Sequence, residues 1–114
     1  MSRECGLPNA LNVGVLTTVI ITTVQVHRKP PLNPEQEVRL AGLVDTRLTR
    51  EKRTVLPETK GRDLTLEEAR KLVVALNQSI SNMQFAYRFR YDLLGLNSTT
   101  LQEVANEIDN CLNS

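Results

Sequence analysis

Residues 5–26 read CGLPNALNVGVLTTVIITTVQV, 22 consecutive positions without a charged side chain, followed at once by His27, Arg28 and Lys29. Length and basic flank suit a single membrane span over residues 5–26, with the following residues on the cytoplasmic side. The composition argues otherwise. From Val13 to Val26 the run is built mainly of Val, Ile and Thr, whose β-branched side chains lose χ1 freedom in a helix and pack well on a pleated surface. Pro8, Asn9 and Asn12 at its front leave about 14 convincingly apolar residues against the roughly 20 that a span requires. The run therefore reads as a long N-terminal β-strand. Alternation places Val13, Val15, Thr17, Val19, Ile21 and Thr23 on one face, and Leu16, Thr18, Ile20, Thr22, Val24 and Val26 on the other. Both faces are mixed, so both need cover. The chain offers one other β-like run, Arg53-Thr54-Val55-Leu56, as a partner. A strand short of partners points to a second copy of the chain or to another protein.

Beyond this run, Pro30, Pro31 and Pro34 break the backbone pattern, and a helix starts after them. Asn33 suits the cap, Pro34 the first helical position, and Glu35 and Glu37 the positive end of the helix dipole. Val38, Ala41, Val44 and Leu48 recur at helical spacing, which predicts a helix ending near Thr49. Residues 50–63, REKRTVLPETKGRD, read as a connector that holds the short second strand. The sharpest local signal follows. Thr65 and Glu68 have the spacing of a capping box, with Leu64 and Ala69 as its hydrophobic staple. From there Leu66, Ala69, Val73, Leu76, Ile80, Met83, Tyr87, Arg90 and Leu94 step by threes and fours, a coiled-coil-like seam that predicts one helix of about 30 residues ending at Gly95. A last helix begins at Ser98, Thr99 or Thr100 and carries Leu101, Val104, Ala105, Ile108, Cys111 and Leu112 on one face, so it packs back on the long helix as a hairpin.

The chain of 114 residues is 40% hydrophobic and 24% charged, which places it among ordinary globular proteins and suffices for one domain with its own core. Residues 1–32 form its strand and Pro-rich turn, and residues 33–114 its helical part. A net charge of +1 argues against a histone-like basic protein and an acidic solvating one. The charge is uneven: residues 1–62 hold ten basic and six acidic side chains, residues 63–114 four and seven. Cys5 and Cys111 stand at opposite ends of the chain in no C-x-x-C pattern, so their spacing indicates neither a disulfide scaffold nor a zinc site, and a reducing, cytoplasmic location follows as the expectation. No basic region, apolar stretch and small-residue cleavage site follow one another as in a signal peptide. The sequons Asn77-Gln78-Ser79 and Asn97-Ser98-Thr99 then read as chance matches.

Chemistry-bearing motifs are sparse. His27 is the sole histidine and stands beside prolines with no nucleophile at hand. The carboxylate pairs Glu35/Glu37 and Glu67/Glu68 sit at helix starts, where the dipole accounts for them, and Glu103/Glu107 lie along the last helix. There is no phosphate-cradling glycine loop and no His-Glu-x-x-His pattern, so no catalytic residue, cofactor or metal is expected. Two segments suggest binding. Arg47, Arg50, Lys52, Arg53, Lys60 and Arg62 gather six cations within residues 47–62, suited to an anionic partner such as nucleic acid. Phe85, Tyr87, Phe89 and Tyr91 interleave with Arg88 and Arg90; the simplest role for these aromatics is packing, with stacking on bases as another.

The sequence thus predicts an α+β fold of one long N-terminal strand and three helices, working as a non-catalytic, homo-oligomeric interaction module. Val73, Leu76, Ile80, Met83, Tyr87, Phe89 and Tyr91 are the expected protein interface, toward a second copy or another protein. The alternatives are a nucleic-acid-binding accessory protein of phage or viral type using residues 47–62, and a single-span membrane protein.

Overall fold

The computed structural model describes residues 5–83 and 94–114. Among these residues the chain forms β1 (Ala10–Leu11), α1 (Val13–His27), α2 (Pro34–Val55), a 3₁₀ turn (Pro57–Thr59), β2 (Leu64–Thr65), α3 (Leu66–Ser81) and α4 (Ser98–Leu112). The class is α+β in a broad sense only: four helices dominate, and the sheet is two strands of two residues each.

The expected long strand is a helix. Asn12 caps α1 by accepting a hydrogen bond from the Val15 N–H at 2.8 Å. Leu16, Ile20 and Val24 recur every four residues, and with Thr17 and Ile21 they make one buried stripe. The threonines that favoured a strand have a helical outlet: Thr18 Oγ1 donates to the Gly14 carbonyl at 3.1 Å and Thr23 Oγ1 to the Val19 carbonyl at 2.9 Å. Helix propensities differ by tenths of a kcal/mol per residue, whereas burying each large aliphatic side chain contributes roughly 1.5–3 kcal/mol, so packing decides. The same 15 residues replace the span considered for residues 5–26. No helix among the described residues is long and apolar enough to cross a membrane.

What remains of the sheet is small but positions two helices. β1 pairs antiparallel with β2, Ala10 opposite Thr65 and Leu11 opposite Leu64. Each strand leads into a helix cap, so the pairing sets the starts of α1 and α3 side by side. The predicted capping box holds: Thr65 Oγ1 accepts from the Glu68 N–H at 3.1 Å while Glu68 Oε1 accepts from the Thr65 N–H at 2.9 Å. Asn33 and Gln36 do the same at the start of α2.

Two helix ends differ from expectation. α2 continues past Thr49 to Val55, so residues 53–55 are helical rather than a second strand. The first true breaker after Thr49 is Pro57, and Lys52 and Arg53 in the last turn suit the negative end of the dipole. α3 ends at Ser81, capped by Asn82, instead of running on as a helix of about 30 residues. Ser79, Ser81 and Asn82 are weak helix formers whose short polar side chains compete for backbone groups. The rest of the seam, residues 84–93, lies outside the described residues.

The helices pack in a closed ring, α1 on α2, α2 on α3, α3 on α4 and α4 on α1, with the broadest contact between α3 and α4. One aliphatic core fills it, to which all four helices contribute. Arg70 of α3 bonds Asp109 of α4 through Nε and Oδ1 at 2.5 Å. Gln25 of α1 fastens the turn before α2: its Oε1 accepts from the Leu32 N–H at 2.7 Å, and its Nε2 donates to the Leu32 carbonyl at 3.3 Å.

Ring closure corrects the reading of the cysteines. Cys5 and Cys111 form a disulfide, their Cα atoms 5.3 Å apart although 106 positions separate them. The expectation of a reducing compartment rested on their being unpaired, and that ground is removed.

Candidate functional site

The surface of α1 is the least expected feature of the molecule. From Val13 to Val26 it carries no charge, yet only one side of it faces the core. Gly14, Thr18, Thr22 and Val26 stand four residues apart and are all exposed, with Val15 beside them. Val26 is 64% exposed, and Val38 across the seam with α2 is 73% exposed. The row runs as a ridge between two grooves. Toward α2 a groove of about 320 Å³ is lined by Thr18, Ile21, Thr22, Glu37, Val38 and Ala41. Toward α4 a groove of about 230 Å³ is lined by Thr22, Thr23, Val26, His27, Glu103 and Glu107. Solvent-facing helix surfaces ordinarily carry charged side chains, so a charge-free ridge flanked by grooves is unusual for an exposed helix face. The sequence signal was present in the Gly14, Thr18, Thr22, Val26 spacing, and a strand assignment conceals it because a period of two puts these four residues on one face with Leu16, Ile20 and Val24, mixing the exposed row with the buried stripe.

The residues expected at an interface are differently placed. Val73, Leu76 and Ile80 are buried in the chain's own core, facing α4 and the rest of the bundle, so their apolar surface is covered within one chain. Met83 is half-buried against that core, its Sδ 3.9 Å from Arg47 Nη2. Tyr87, Phe89 and Tyr91 lie outside the described residues, as do Phe85, Arg88 and Arg90.

The basic segment resolves into members with different roles. Arg62 forks onto Glu68, Nη1 to Oε1 at 2.9 Å and Nη2 to Oε2 at 2.8 Å. That fork, reinforced by the Thr65 N–H, holds the Glu68 carboxyl down at about 2, and the same fork raises the Arg62 guanidinium. Arg62 therefore stabilises the start of α3 and is lost to an external anion. Lys52 Nζ donates to the Arg62 carbonyl at 3.2 Å. Arg50, Arg53 and Lys60 are exposed and form no ion pair among the described residues. Lys52, Arg53 and Lys60 rim a cleft of about 390 Å³ whose wall includes Leu56, Pro57 and Thr59.

Among the acid–base candidates, His27, Glu35, Glu68 and Glu103 are held in side-chain pairs. His27 contacts Glu103 through Nε2 and Oε2, joining the end of α1 to α4. Glu35 stands 3.7 Å from Arg39, one turn along α2. No group of three or more His, Cys, Asp or Glu among the described residues is arranged to hold a metal ion. No protein-family model, curated protein or solved structure matches the chain.

Proposed function

We propose that this chain is a non-catalytic interaction module that pairs with a second copy of itself through the ridge of α1. The supporting observation is the charge-free exposed row Gly14, Thr18, Thr22 and Val26, flanked by two grooves. The row is self-complementary when two copies meet antiparallel about a two-fold axis between Thr18 and Thr22. Gly14 then lies level with Val26 of the other copy, a gap facing a knob, and Thr18 lies level with Thr22. A two-fold contact requires one patch to match itself, and the charge-free row meets its copy without like-charge repulsion along the ridge. Val38 and the α2 groove extend the contact sideways. Light scattering on the eluting protein tests this: a mass twice the 12.8 kDa of one chain is expected for the wild type. Thr22→Arg, which sets two guanidinium groups near the axis, should return a folded single chain. A wild-type protein of single-chain mass at every concentration refutes the proposal.

A second reading is favoured by Arg50, Arg53 and Lys60, which are exposed and lack ion-pair partners among the described residues, Arg53 and Lys60 bordering the cleft at the end of α2. It makes this end the contact for an anionic polymer such as nucleic acid. Replacing Arg50, Lys52 and Arg53 together by Gln should leave the fold intact and flatten the salt dependence of duplex binding by roughly 0.9 in log–log slope per lost phosphate contact. An unchanged slope refutes it.

A further inference from the structure

We propose that Asn97 is an N-glycan acceptor and that the chain matures in an oxidising compartment that also glycosylates. Two independent features support this. The first is the disulfide between Cys5 and Cys111, which ties the N-terminal segment to the last turns of α4. Forming it removes two protons and two electrons from the thiols, and these pass to an oxidised dithiol carrier of the kind found where secreted proteins fold; reducing compartments keep such pairs as thiols.

The second is the state of the Asn97 amide. Asn97-Ser98-Thr99 is an acceptor triplet, and Ser98 and Thr99 are exposed. Asn97 has extended backbone, φ −142 and ψ 179, as the cap of α4. Its amide is engaged on one side alone. Oδ1 accepts from the Thr100 N–H at 3.0 Å and from Thr100 Oγ1 at 3.2 Å, while Nδ2 makes no hydrogen bond among the described residues. Transfer from a lipid-diphosphate-linked oligosaccharide forms a bond from sugar C1 to Nδ2, breaks the bond from C1 to the diphosphate oxygen and releases one Nδ2 proton. Oδ1 keeps its lone pairs and both its bonds, so the cap of α4 persists after modification. The other triplet is unsuited. Asn77 lies within α3 beside the buried Leu76, and its Oδ1 is buried without a partner.

The test directs the full chain into the endoplasmic reticulum of cultured eukaryotic cells behind a cleavable leader and measures masses before and after peptide N-glycosidase. Wild type and Asn77→Gln should carry one glycosidase-sensitive glycan. Thr99→Ala and Asn97→Asp should carry none, and both should fold, because Asp caps a helix as well as Asn and Thr99 is exposed. In all four the pair Cys5 and Cys111 should resist alkylation until reduced. A folded, disulfide-bonded wild-type chain without a glycan, or with its glycan on Asn77, overturns the assignment of Asn97. Alkylatable thiols at Cys5 and Cys111 in the secreted chain overturn the oxidising compartment.

Discussion

Replacing Gly95 by Ala separates two costs that the structure assigns to one position. Gly95 has φ +85, a left-handed conformation that costs an L residue roughly 1–2 kcal/mol. A Cβ there would also stand 3.0 Å from Val24 Cγ1 and 3.1 Å from Arg28 Cδ. Val24 is fully buried in the α1 stripe and has no room to retreat, whereas the Arg28 chain can shift. Crowding a packed site typically adds about 1–3 kcal/mol. Gly61 supplies the control, with φ +80 and nothing within 4 Å of its would-be Cβ. Gly61→Ala should therefore lose roughly 1–2 kcal/mol, and Gly95→Ala roughly 2–5 kcal/mol. At about 4 °C per kcal/mol for a domain of this size, thermal melts followed by far-ultraviolet circular dichroism resolve the two. Equal losses would mean that Gly95 does not press on α1. No loss at either position would refute the left-handed backbone itself.

Three further outcomes follow from the packing, the cap and the disulfide. Leu76→Ala should lower unfolding free energy in urea by about 2–5 kcal/mol, since it empties a fully buried site. Glu68, whose carboxyl is held down at about 2 against an ordinary value of 4.5, gives stability that is complete above pH 4.5 and is lost as pH falls toward 2. Glu68→Gln should remove that part of the acid sensitivity, read as the urea midpoint against pH. Cys5→Ser should cost about 2–5 kcal/mol, and reductant should lower the melting temperature of the wild type while leaving that of the variant unchanged.

The parts legible in the sequence are those where local chemistry is decisive. Asn33 and Pro34, and Thr65 with Glu68, mark two helix starts because caps act within a few residues of backbone. The stripe from Leu101 to Cys111 has a single period and packs as that period implies. Residues 13–26 resemble a strand in their β-branched composition, yet the spacing of Leu16, Ile20 and Val24 fits a helix, and burial settles what propensity cannot. A strand reading there carries others with it: the second strand at 53–56, the shortage of strand partners and the ordinary look of the α1 surface. The pairing of Cys5 with Cys111 was illegible for a different reason, since only closure of the ring brings the chain ends together. The basic segment was visible as composition, while the removal of Arg62 by Glu68 depends on a turn around Gly61 that composition does not contain.

The self-association of α1 is tested most directly by cross-linking chains that each carry one new cysteine on the ridge, with the Cys5–Cys111 disulfide left intact. In the proposed antiparallel pair Thr18 is level with Thr22 of the other copy, while two Thr18 residues are offset along the axis by about 6 Å, four residues of helical rise. Disulfide formation needs Cα atoms roughly 4.4–6.8 Å apart with suitable Cβ directions, so the offset is selective. Under mild oxidation an equimolar mixture of Thr18→Cys and Thr22→Cys chains should yield more covalent dimer, joined between positions 18 and 22, than either variant alone. Cross-linking that is absent, or equally efficient for each variant by itself, would contradict the two-fold pairing of α1.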